Sequence, residues 1–159
     1  MYDVITVADT ILKIAKSQDK KLTPMQLVKL TYIAHGWSFV FYDRGLFSNR
    51  IEAWQYGPVA PDLYHVTKNY GRSAIPLGDI GDVEDIEVSP EDHALLVEVF
   101  NAYGHLDGIS LSRLTHKVGT PWKQVYNPNE RRIRIPDHLI AQHYRELASA
   151  NLCTAKFSF

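Results

Sequence analysis

Apolar residues recur at three-to-four spacing from the start of the chain, where Val4, Ala8, Ile11, Leu12 and Ala15 share one face and SQDKK ends the pattern. The spacing predicts a first helix there. In LTPMQLVKLTYIAHGWSFVFYDRG, Thr23 is placed to cap, Pro24 suits the first helical position and Gln26 completes a T-x-x-Q capping box. Leu27, Leu30, Ala34, Trp37 and Phe41 form a stripe that Val28, Tyr32 and Phe39 widen, so Leu22 to Tyr42 is expected to be a central helix buried on more than one side. Gly36 costs about 1 kcal/mol relative to Ala inside a helix, and a close neighbouring backbone is the expected compensation.

The next segment changes period. In IEAWQY, Ile51, Ala53 and Gln55 alternate with Glu52, Trp54 and Tyr56, which predicts a short strand or extended arm over 51–55. PVAPDLYHVTKNYG follows as a helix, with Pro58 and Pro61 expected at its start and Gly71 ending it. A loop over 72–88 collects Asp79, Asp82, Glu84, Asp85 and Glu87 without a facing basic residue, and is expected to be the least ordered part. SPEDHALLVEVFNAYG is a helix signature, with Ser89 as cap, Pro90 first, Glu91 and Asp92 at the positive end of the dipole, and Leu95, Leu96, Val99, Phe100 and Tyr103 inward. ISLSRLTHKVGTPWKQVY predicts a short helix starting near Leu111 with Ser110 or Ser112 as cap, a break, and a second helix from Pro121. Ile133 to Ile135 suits a short strand, and Leu139, Ile140, Tyr144 and Leu147 the inner face of a closing helix. The expected fold is mostly α (α+β): a compact helical bundle with a small β-hairpin or arm, partly helix-turn-helix-like, in a single domain over 1–159.

Composition narrows this further. The 159 residues are 45% hydrophobic and 22% charged, ordinary globular usage for one core. A net charge of −1 supplies no global field toward nucleic acid or an anionic membrane. The single cysteine, Cys153, forms no internal disulfide, and a reducing, cytoplasmic setting fits it. No signal peptide and no membrane partner are expected, because no run approaches the roughly 18 apolar residues of a spanning helix.

Candidate chemistry is sparse. Of seven histidines, His138 and His143 are five apart, which misses the helical spacing for two metal ligands on one face. No metal or cofactor is expected. His116 neighbours Ser110 and Ser112, a pairing that invites a nucleophile reading, but there is no G-x-S-x-G elbow and no Gly-rich phosphate loop. No catalytic residue is assigned, and the chain is expected not to be an enzyme. Arg113, Lys117, Lys123, Arg131, Arg132 and Arg134 make the C-terminal third locally basic, suited to DNA phosphates or to an acidic partner. Trp122 and Tyr126 in the second helix of that region resemble core anchors. Trp54 and Tyr56 are residue types that anchor protein interfaces, or else the arm lies down as a lid on the helices.

LTPMQLVKLTYIAHGW, LFSNRIEAWQYGPVAPDLYHVTKNYG and ISLSRLTHKVGTPW, in this order, resemble the Panacea domain family, which includes phage-associated proteins and SocA-type antitoxins. The resemblance runs from about Val7 to Leu147, and IEAWQYGPVAPDLY is its most specific element. The family commonly carries L-Q-K-L-L-Y-Y-A where this chain has LVKLTYIA, so Val28 and Thr31 depart from it. The resemblance implies an antitoxin that neutralises a toxin encoded nearby, in a prophage for some relatives, by direct contact. Some relatives behave as adaptors that hand a bound toxin to a protease, so the resemblance also implies a proteolytic-adaptor role, with a protease or chaperone as a further partner. Partner contacts are expected at Trp54, Tyr56, Gly57, Pro58, Tyr64, His116 and Trp122. A DNA-binding regulator using the basic residues is the alternative function.

Overall fold

Helix α2 (Pro24–Tyr42) runs through the middle of the computed structural model, which describes residues 1–80 and 86–150. Its start is the capping box: the Thr23 hydroxyl accepts from the Gln26 amide, and the Gln26 carboxamide oxygen accepts from the Thr23 amide at 2.9 Å. Every residue from Leu27 to Ser38 is buried. The cause is that α2 has neighbours all round: α1 (Val4–Ser17), α3 (Pro61–Thr67), α4 (Pro90–Tyr103), α5 (Gly108–His116) and α7 (Asp137–Ala150) all pack on it. The expected stripe is therefore a whole cylinder, and Phe41 emerges from it as an exposed residue in the last turn.

A helix buried on all sides must satisfy its polar side chains internally. Thr31 and Ser38 donate back to the Leu27 and His35 carbonyls at 2.7 and 2.6 Å. His35 accepts from the Leu46 amide at Nδ1, so Nε2 carries the proton and donates to Asp137 at the start of α7, 3.1 Å away. That bond holds the Asp137 carboxyl below its ordinary range. Trp37 donates its indole N–H to the Tyr103 hydroxyl on α4 at 3.0 Å. Lys29, also buried, donates to the Pro58 carbonyl.

Gly36 is compensated by a side chain, not by the neighbouring backbone the sequence leads one to expect. A Cβ there would stand 2.2 Å from the Tyr144 ring of α7. Burying an aromatic ring contributes about 2 kcal/mol or more, which outweighs the roughly 1 kcal/mol helix cost of a glycine.

The period-two segment is a hairpin, shorter than the expected arm. Strands β1 (Glu52–Trp54) and β2 (Gly57–Val59) pair antiparallel, with Trp54 opposite Gly57, and Gln55 and Tyr56 make the turn. Pro58 lies in β2, so only Pro61 opens the helix; an edge strand tolerates the missing N–H. On the other edge of β1 the Ala53 amide donates to the Ile133 carbonyl and the Ile135 amide to the Ile51 carbonyl, at 2.8 and 2.9 Å. The expected 133–135 strand is thus a bridge onto β1.

Helix α4 starts at the Ser89 cap and Pro90 as expected, with Leu95, Leu96, Val99, Phe100 and Tyr103 buried. Helix α5 begins earlier than expected, capped by Asp107 and not by a serine, because the Asp107 carboxylate reaches the Ser110 amide at 2.7 Å. Helix α6 (Pro121–Val125) spans five residues with Pro121 and Trp122 buried, too short and too inward to act as a recognition helix in a DNA groove. In the acidic loop Asp79 accepts from the Tyr70 hydroxyl, while Asp82, Glu84 and Asp85, like Cys153, lie outside the described residues.

Candidate functional site

The turn between β1 and β2 is held by its main chain. The Trp54 carbonyl accepts from the Trp122 indole at 2.6 Å, and the Tyr56 carbonyl from the Ser112 hydroxyl at 2.7 Å. The Gln55 carbonyl faces His116 Nε2 at 3.1 Å, and the Pro58 carbonyl accepts from Lys29 Nζ at 3.1 Å. Side chains from α2, α5 and α6 thus meet four carbonyls within five residues. The helix, break and helix of ISLSRLTHKVGTPW form the cradle of the hairpin. Ser112 and His116 do stand side by side, with Nδ1 3.3 Å from the hydroxyl, but both are engaged with the tip.

Gly57 makes this closeness feasible. Its φ is +116°, and a Cβ would stand 2.8 Å from the Thr115 hydroxyl and 2.9 Å from Lys29 Nζ. His116 packs edge-on to Trp122, ring centroids 3.9 Å apart, and Trp122 stacks on Tyr126 at 4.4 Å. Trp122, Gly57 and Pro58 are buried, so they support the tip from beneath.

Above this support the side chains divide. Tyr56 is 61% exposed. Trp54 is half-buried, its indole N–H donating to Glu52 at 3.0 Å and its ring edge-on to Tyr64 at 4.8 Å. Tyr64 reaches solvent, and His116 is half-buried.

The tip is a ridge between two clefts, with Trp54 and Gln55 lining both. One, of about 420 Å³, has Met25, Val28, Lys29, Tyr56 and Tyr64 on its walls. The other, of about 730 Å³, is more polar and takes in Arg131 and Arg132. Arg113, Lys117, Lys123 and Arg134 are exposed as well, on α5, the following turn, α6 and the segment before α7.

Lys29 does not stand out in the sequence, where lysines on helices are ordinarily solvated. Two signals could have marked it: apolar residues on both sides in a helix already expected to be buried on more than one side, and its coincidence with the lysine of L-Q-K-L-L-Y-Y-A. Burial holds its amine down to about 7. Among the described residues no group of His, Cys, Asp and Glu side chains converges as a metal site, and no helix is long and apolar enough to cross a membrane.

The tip is thus carried on braced main chain with the Tyr56 side chain outward, and no reactive set converges among the described residues. The chain belongs to the Antitoxin SocA-like, Panacea domain family, which matches residues 27–123, a stretch that holds the hairpin and all four of its anchors. It is similar to Antitoxin SocA of Caulobacter vibrioides (strain NA1000 / CB15N), 28% identical over 155 residues, covering 90% of this chain and 82% of that relative. No solved structure matches it. Membership of an antitoxin family points to a regulatory role, with a toxin as the class of partner.

Proposed function

We propose that the chain neutralises a cognate toxin by binding it directly, with the ridge Trp54, Gln55 and Tyr56, flanked by Tyr64, as the contact surface. The observation that carries this is the exposure of Tyr56 on a backbone whose carbonyls are already fixed. An aromatic anchor displayed in one geometry loses little conformational freedom when a partner arrives.

Co-expression with the protein encoded by the adjacent reading frame tests this. That protein alone should arrest growth, the chain should restore it, and Tyr56→Ala should not. A neighbour that is harmless alone removes the proposal's support. The level of toxin in rescued cells separates two routes: undiminished toxin means occlusion, whereas toxin depletion that depends on a protease means that the chain delivers it for degradation. The alternative of a DNA-binding regulator is separated by salt, because counterion release makes DNA affinity fall steeply with ionic strength and an aromatic-centred protein contact does not share that dependence.

A further inference from the structure

Lys29 is 2% exposed and lines the cleft between the hairpin and α3, with its amine drawn under the hairpin onto the Pro58 carbonyl. An ammonium has three N–H donors. Among the described residues the chain supplies one acceptor, the Pro58 carbonyl, and no carboxylate within ion-pair distance. Nor does the cleft offer one at longer range: its lining contains a second lysine, Lys68, and no Asp or Glu. The other titratable groups around it are Tyr56 on the turn, Tyr64 on α3, His116 on α5 and the Glu52 carboxylate on β1, which is engaged by the Trp54 indole and by Arg50 and does not line the cleft. A buried amine beneath aromatic walls, without a counter-charge of its own, is complementary to an acid that also presents apolar surface.

We propose that this cleft seats a side-chain carboxylate of the bound toxin, an Asp or Glu flanked by an apolar or aromatic residue, with Lys29 as its ionic partner. The occupant rests on the antitoxin reading above; the carboxylate site itself does not. At about 420 Å³ the cleft lies toward the small end of ligand pockets, room for side chains but not for a folded element. Because burial lowers the amine to about 7, an arriving carboxylate draws a proton onto it, and binding is coupled to proton uptake. Affinity therefore rises as pH falls from about 8.5 to about 6, across the titration of this lysine.

Two experiments decide it. In the first, phenylacetate is titrated into the whole chain with phenylacetamide as the uncharged control, following the Trp54 indole N–H by NMR. Phenylacetate should shift it, more strongly at the lower pH, the amide should not, and Lys29→Met should abolish the response. Equal responses to acid and amide, or an unchanged response in Lys29→Met, overturn the carboxylate site. In the second, Lys29→Met should weaken toxin binding about 30-fold or more, while melting no lower than the parent. If Lys29→Met binds toxin as tightly as the parent although phenylacetate still requires the lysine, the cleft takes a free carboxylate and its assignment to the toxin falls. If the parent chain binds no neighbouring toxin, the antitoxin reading fails, and the phenylacetate titration alone decides the site. Should Lys29→Met not fold, the acid-against-amide comparison on the parent still decides whether the cleft takes a carboxylate.

Discussion

Ser112 donates its hydroxyl to the carbonyl of Tyr56 at 2.7 Å, joining residues 56 positions apart in the chain. The exposed ring and the braced backbone therefore belong to one residue: what Tyr56 presents outward is fixed by what its carbonyl meets inward. The displayed ring and the bracing carbonyl are separable at this point, and each substitution around it tests the proposed recognition or the folding.

Tyr56→Ala removes a ring that is mostly in solvent. The thermal midpoint should stay close to the parent's, since surface truncations remain within about 0.5 kcal/mol, while toxin affinity should fall by about 2 kcal/mol or more. Melting and titration of the purified variant, done side by side, check both halves.

Gly57→Ala should act through the fold. A residue with φ +116° and a Cβ less than 3 Å from Thr115 and Lys29 is strained in both backbone and packing, and a loss of more than about 1 kcal/mol is expected in urea denaturation. Lost neutralisation would then track lost folded protein.

Ser112→Ala deletes one of the four carbonyl anchors. The cost to stability should be about 1 kcal/mol, with faster amide exchange around the turn and weaker toxin binding while Tyr56 itself is intact. Unchanged exchange at the turn would mean that the remaining anchors suffice.

Acid should unfold the protein partly through Asp92. Burial alone would raise this carboxyl, but hydrogen bonds from Tyr2, Arg44 and Ser89, together with the Arg44 charge, hold it below the ordinary carboxylate range. A depressed carboxyl contributes stability that is complete above its unfolded value near 3.9 and lost as pH falls through the folded one. Asp92→Asn should be less stable at neutral pH and show a shallower acid limb in melting curves.

Lys29 has the opposite sign. Its folded value of about 7 lies below the ordinary lysine value near 10.4, so between the two the unfolded chain holds a proton that the folded chain has released. Stability rises with pH across that window, and the destabilisation is complete below it. Lys29→Met should flatten the slope and melt higher than the parent at neutral pH.

Much of the fold was legible in local pattern. The Thr23, Pro24 and Gln26 start of α2 and the Ser89 and Pro90 start of α4 are satisfied within one helical turn, so the sequence alone carries them. The hairpin was blurred because alternation from Ile51 to Tyr56 continues through the turn, and Gln-Tyr lacks the turn residues that ordinarily mark one. The α5 cap was misplaced because two serines competed with Asp107 for the role. The burial of Lys29 was signalled by its apolar neighbours, but the carbonyl anchors were beyond reach: each joins partners 29 to 68 positions apart, and no local spacing encodes which carbonyl a side chain will meet.

Main-chain oxygens are the same whatever side chain their residue bears. Trp122, Ser112 and His116 grip residues 54–56 through carbonyls alone, so the bracing is indifferent to what is displayed at Gln55 and Tyr56. Under the proposed toxin-binding role these positions would serve as a short recognition loop on a braced frame. Exchanging them should leave the scaffold standing, provided that Gly57 is left in place, and under the proposed role should redirect the surface toward a different target.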